Sequence, residues 1–211
     1  MLATKRIVPA ATSALSSSMA TLTTTTGTAQ HVHPNELRTR FSKKLSDMYA
    51  NEVPLYADLL ALVRDTNVDA LAKYPPALRK RFEDEGESQR LAVERHGAIR
   101  VGTPEELGVL ARVFKLLGLR GVGYYDLYAA AGLPIHATAF RAVDIASLTV
   151  NPFRIFCSLL RPELIEDEWV RDFARNRLAK RNVFEDKAMQ LLSKAESEGG
   201  LGQEDAEPFL E

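Results

Sequence analysis

His96 and Arg100 stand four residues apart in the stretch Glu94-Arg95-His96-Gly97-Ala98-Ile99-Arg100. An imidazole can ligate a metal, and an arginine fork matches a carboxylate. Four-residue spacing stacks both side chains on one face of a helix, and an even offset also keeps them on one face of a strand. The separations differ: about 6 Å on a helix against roughly 13 Å on an extended strand. One end of such a pair suits a metal, the other the tail of an anionic substrate. The pair also has ordinary readings. A single histidine is commonly a surface or hydrogen-bonded residue, an arginine commonly packs its stem, and a metal site normally needs three or four protein ligands. Asp126 and His136 fall on strand candidates farther along, where each either shares a cavity with His96 or is a structural polar residue.

The punctuation around the pair predicts what positions it. Gly102 ends the short apolar run Ala98 to Val101. Thr103-Pro104-Glu105-Glu106 then supplies an N-cap, a proline at the first helical position and an acid at the third. Leu107, Leu110, Ala111, Phe114 and Leu117 form the buried stripe of that helix, and Gly118 closes it. Val122 to Leu127 and Ile135 to Val143 read as strands, the first with Gly121 and Gly123 at its start. The order strand, helix, strand, strand predicts an α+β unit whose sheet is open on one face.

The flanks are helical. Leu37, Phe41, Leu45 and Met48 recur at helical spacing behind Pro34, with Arg38 among charges read as falling mostly off the stripe. A second pattern, Leu55, Leu59, Leu62 and Val63, runs from Pro54 until Tyr74-Pro75-Pro76 stops it. Residues 79–95 form a charged helix or long connection. Asn151-Pro152-Phe153 opens a further segment, with Phe153, Ile155, Phe156, Leu159 and Leu160 read as core. Helices are expected over 163–180 and 185–198, with Trp169 as a packing residue. Pro208-Phe209-Leu210-Glu211 falls part-way into another helix, from which a missing continuation is expected.

Composition bounds the function. The 211 residues are 45% hydrophobic and 26% charged, with a formal net charge of −1. That balance gives no global basic field for nucleic acid or an acidic membrane. A single cysteine, Cys157, excludes an intrachain disulfide and argues against a cysteine zinc cluster. No apolar run approaches the roughly 20 residues that span a bilayer, so the expectation is a soluble protein. Residues 1–34 read as a leader, rich in Ala, Ser and Thr and without an acid. Such a leader is either a transit peptide, implying a mitochondrial or plastid address, or a disordered tail on a cytoplasmic protein. His31 and His33 read as an incidental exposed pair at its end. No phosphate-binding glycine loop, serine nucleophile elbow or His-Glu-x-x-His motif is present.

From Glu36 onward several ordered motifs share one resemblance. Phe41-Ser42-Lys43-Lys44-Leu45-Ser46-Asp47-Met48-Tyr49, Glu94 to Thr103, and Val122-Gly123-Tyr124-Tyr125-Asp126-Leu127 all resemble the 2-oxoadipate dioxygenase/decarboxylase family. So do Pro134-Ile135-His136-Ala137-Thr138-Ala139-Phe140-Arg141 and Asn151-Pro152-Phe153-Arg154-Ile155-Phe156. The resemblance implies a fold related to the vicinal-oxygen-chelate group, with N-terminal helices, an incomplete strand-helix-strand-strand unit and further helices over residues 35–211. It implies Fe(II) as cofactor and conversion of 2-oxoadipate and O₂ to 2-hydroxyglutarate and CO₂, a step of lysine breakdown. It implies His96 as an iron ligand that also contacts substrate, and Arg100 as the residue gripping a substrate carboxylate. A 2-oxo acid can chelate iron through keto oxygen and carboxylate, and two His with one carboxylate leave positions open for it and for O₂. The family's second His, its Glu and a further substrate arginine are expected beyond Glu211. The chain therefore reads as the N-terminal part of the enzyme, inactive alone. Two alternatives stand beside this: a non-enzymatic short form that pairs with a full-length relative, and a related iron dioxygenase acting on another 2-oxo acid.

Overall fold

The structure is a computed structural model that describes residues 31–87 and 95–211. Helix α1 (Pro34–Glu52) begins where His33 accepts a hydrogen bond from the Asn35 N–H through Nδ1, with Pro34 at the first turn. The described residues begin just ahead of this helix. His31 bridges to Gly202, Val32 is buried, and the Val32 N–H donates to the Leu201 carbonyl at 2.8 Å. The leader reading otherwise falls on residues 1–30, which lie outside the described residues.

Helices α2 (Tyr56–Ala72) and α3 (Pro76–Asp84) follow. The helix expected from Leu55, Leu59, Leu62 and Val63 forms, but its apolar side stays exposed. The charged segment resolves into α3 over its first part, and residues 88–94 lie outside the described residues.

Four strands then build one sheet: β1 (His96–Val101), β2 (Arg120–Asp126), β3 (Ile135–Arg141) and β4 (Arg154–Leu160), in the order β1-β4-β3-β2. Helix α4 (Pro104–Leu116) joins β1 to β2; short helices α5 (Leu127–Ala131) and α6 (Ile145–Val150) join β2 to β3 and β3 to β4. A 3-10 turn (Pro162–Leu164) leads to α7 (Glu168–Leu178), α8 (Asp186–Glu198) and α9 (Gln203–Leu210). The expected strand-helix-strand-strand unit thus has a fourth strand. Residues 154–160, of which Ile155, Phe156, Leu159 and Leu160 are expected as core, insert between β1 and β3, parallel to the first and antiparallel to the second; Phe156 is exposed instead, because strand alternation turns it away from Ile155 and Cys157. The expected open sheet face follows from that layering, because the helices that bury apolar stripes all lie on one side.

The helix start predicted from Thr103 is present in full. Thr103 Oγ1 accepts from the Glu106 N–H at 3.2 Å, and Glu106 Oε2 accepts from the Gly102 N–H at 2.6 Å. Leu110 and Phe114 of α4 then bury against Phe140, Ile155, Cys157 and Leu159 of the sheet. Phe41 of α1 meets Phe114 and Phe153 edge-on, with centroids 6.4 and 5.9 Å apart. Gly97 shows how close α1 comes. A Cβ there would stand 2.9 Å from Leu45 Cδ2 and 3.2 Å from Ile155 Cδ1, so the core-facing side of β1 is held open by the missing side chain.

Arg38 departs from the expectation that it lies off the buried stripe. It is fully buried, and its guanidinium donates to the carbonyls of Asn151 (3.1 Å), Leu117 (2.9 Å) and Ser147 (2.9 Å) and to Asn35 Oδ1 (2.8 Å). Burial pulls its pKa down while the Asp144 carboxylate pushes it up. The carbonyls it satisfies belong to the ends of α4 and α6, so one side chain ties α1 to both.

Candidate functional site

Register decides which side of the sheet each candidate takes. Directly paired residues on neighbouring strands share a face. On β1 and β4 the pairs His96↔Arg154, Ala98↔Phe156 and Arg100↔Ser158 fall on one face, while Ile99↔Cys157 and Val101↔Leu159 fall on the core face. Burial agrees: His96, Ala98 and Arg100 are exposed, Val101 is buried, and Ile155, Cys157 and Leu159 alternate as the buried residues of β4. The four-residue spacing is therefore a strand spacing. His96 and Arg100 project from one open face with their Cα atoms roughly 13 Å apart.

Between them the face is small and apolar. Ala98 lies midway on β1, and Phe156 beside it packs at a tilt against Tyr125 of β2, 5.1 Å between centroids. Tyr125 reaches this face because β2 shifts register between Val122 and Tyr125. Gly123 occupies the irregularity with φ +79°, a conformation a side chain would resist, and its carbonyl accepts from Thr138 Oγ1 at 2.8 Å.

His136 and Asp126 do not share this face. His136 pairs with Leu159, and Asp126 pairs with His136, which places both on the side of Val101 and Leu159. His136 Nδ1 meets Tyr124 Oη at 2.9 Å and the Arg161 guanidinium. The arginine can only donate, so Nδ1 accepts from it, while Nε2 lies 3.7 Å from Asp126 Oδ1. Asp126 also caps α5, accepting from the Ala129 N–H at 2.9 Å. Of the two open readings for this pair, the structure gives the structural one.

The described residues do not fit a metal ion on their own. No group of three or more His, Cys, Asp or Glu that could hold one occurs among them. His96 supplies a single imidazole, which cannot define a coordination geometry. Cys157 faces the core, and burial pushes its thiol up to about 12, so it is neither nucleophile nor ligand. Trp169, read as a packing residue, is largely exposed and stacks on Phe173 of its own helix at 5.5 Å.

Sequence reasoning missed the cations beside His96. Arg154 is its cross-strand partner, Arg141 is the partner of Arg154, and Arg120 is the partner of Arg141. All three are exposed on the His96 face, and none makes an ion pair among the described residues. The signal was the period-two alternation in Arg154-Ile155-Phe156-Cys157-Ser158-Leu159. An apolar-rich run behind Pro152 concealed it.

Comparison with known proteins fits this arrangement. A protein placed in the glyoxalase superfamily, from Ralstonia eutropha JMP134, superimposes with a TM-score of 0.53 at 17% identity, covering 85% of this chain and 50% of that one. That likeness shows the fold alone, an α+β glyoxalase-like architecture. The family model for 2-oxoadipate dioxygenase/decarboxylase matches residues 41–211. The chain belongs to that family. A 2-oxoadipate dioxygenase/decarboxylase of Pseudomonas putida is 49% identical over 180 residues, covering 85% of this chain and 38% of the relative. The structure of hydroxyglutarate synthase in complex with 2-oxoadipate, also from Pseudomonas putida, superimposes with a TM-score of 0.79 at 49% identity, covering 85% of this chain and 40% of that one. This chain thus spans about two fifths of the length of these relatives.

Proposed function

We propose that the protein acts in the conversion of 2-oxoadipate and O₂ to 2-hydroxyglutarate and CO₂, a step of lysine breakdown, and that its open sheet face supplies part of the substrate site. One observation carries this: His96 and Arg100 share the open face of β1 across a small apolar floor, in a chain of the 2-oxoadipate dioxygenase/decarboxylase family. An extended dicarboxylate suits that spacing. Arg100 receives its far carboxylate through a charge-assisted, bidentate contact. Ala98 and Phe156 flank the methylene chain and keep water off it. Held at that end, the keto acid group lies toward His96, which turns loose binding into one orientation.

Iron(II) is the cofactor this reading calls for, with His96 as one ligand. The remaining ligands are not among the described residues, so these 211 residues on their own give little or no turnover. O₂ uptake by the purified chain with iron(II) and 2-oxoadipate tests that directly. The expected trace is flat, and steady uptake with release of 2-hydroxyglutarate would contradict it. Binding is tested separately. Arg100→Ala is expected to weaken 2-oxoadipate by about tenfold or more, the lower bound for a lost charge-assisted hydrogen bond.

A further inference from the structure

The row His96, Arg154, Arg141, Arg120 crosses all four strands on one face, each Cα about 5 Å from the next. Like charges directly opposed on a sheet repel, whereas opposite charges stabilise the pair. The face positions paired with these residues on β1 to β4 include no Asp or Glu, and the three guanidinium groups make no ion pair among the described residues. Arg38, by contrast, engages all three of its guanidinium nitrogens with backbone and side-chain oxygens. An exposed row of unpaired arginine forks is a site for an anion.

Arg100 lies on the same face, four residues farther along β1, so the cations bracket the apolar floor from two ends. A linear dianion lying along β1 meets an arginine at each end. Resting on the 2-oxo acid reading above, we propose that Arg154, with Arg141 behind it, grips the carboxylate adjacent to the keto group, while Arg100 holds the far one. Arg154 is then a positioning residue for the end of the molecule that lies by His96. The planar fork matters, since it fixes a carboxylate in one plane where an ammonium would not. Arg120, two strands from Arg154, adds field without contact.

The test compares two ligands on the full 211-residue chain by ligand-observed NMR titration: 2-oxoadipate, and 2-oxohexanoate, which keeps the keto acid end and lacks the far carboxylate. Arg154→Gln is expected to weaken both about tenfold. Arg100→Ala is expected to weaken only 2-oxoadipate, and Arg120→Gln to leave both within about twofold of the unaltered chain. Arg154→Lys keeps the charge and the fold, and is expected to recover part of the loss. If Arg154→Gln binds both acids as the unaltered chain does while Arg100→Ala loses 2-oxoadipate, the role of Arg154 is overturned and the proposed function stands. Loss of 2-oxoadipate binding alone in Arg154→Gln would put the residue at the wrong carboxylate. If the unaltered chain binds neither acid, the 2-oxo acid reading of this face fails, and the role of Arg154 with it.

Discussion

His96 and His136 lie on opposite faces of one sheet and toward opposite ends of it. His96 pairs with Arg154 at the start of β4, and His136 pairs with Leu159 near its end on the core side. No single cavity can take both imidazoles. The two histidines must therefore answer substitution in opposite ways. His96→Ala is expected to weaken 2-oxo acid binding. His136→Ala is expected to cost about 1 kcal/mol through its lost contacts with Tyr124 and Arg161, and to leave binding unchanged. Urea unfolding and a ligand titration on the same two variants separate them.

Arg38 offers a second prediction. Replacing it with Met removes the donors for three backbone carbonyls at the ends of α4 and α6. The Ser147 carbonyl keeps the Asn151 N–H, but leaving the buried carbonyls of Asn151 and Leu117 without Arg38 costs about 1–3 kcal/mol each when nothing rearranges, so the variant is expected to lose about 3 kcal/mol or more. Arg38→Lys is expected to recover little, because an ammonium cannot reach three carbonyls in a fixed fork. Chemical denaturation of the three proteins measures this.

How much of this was legible in the sequence follows from which signals are local. The N-cap at Thr103, the helix it starts and the closing Gly118 are written in adjacent residues, and they appear as expected. Strands β2 and β3 were found within one or two residues at their starts and ends. Strand β4 was not, because its placement between β1 and β3 is a long-range property. The same cause hid the arginine row: Arg120, Arg141 and Arg154 are far apart in the chain and adjacent only through register. Arg38 departs from its local pattern for a related reason. A charge on a helix reads as solvent-facing until three carbonyls from elsewhere converge on it.

Cys157 should be chemically silent while the protein is folded. It is buried on the core side of β4, and burial pushes its thiol up to about 12, so almost no thiolate exists at neutral pH. Labelling with a thiol reagent at pH 8 is expected to be slow in buffer and rapid in denaturant. Fast labelling of the native chain would mean that β4 opens or faces solvent.

Asp144 should contribute to acid-side stability. It accepts the Ser147 N–H at 2.7 Å at the start of α6, and that bond, helped by the Arg38 charge, holds its carboxyl below the usual carboxylate range. A folded-state value below the unfolded one means the contribution is present above about pH 4 and fades as pH falls through the lower, folded value. Asp144→Asn keeps a capping side chain without the charge. The gap in urea midpoint between it and the unaltered chain is expected to be largest near neutral pH and to close under acid. A gap that widens as pH falls would contradict this.

The open face of β1 as a 2-oxo acid site is tested most directly by mapping 2-oxoadipate onto the chain, using backbone amide shifts of the isotopically labelled protein. The expected result is a set of perturbations centred on His96, Ala98 and Arg100 and spreading to Arg154 and Phe156, with Tyr124 and His136 silent. Perturbations confined to the Tyr124–His136 side, or saturation of ligand with none on β1, would contradict it.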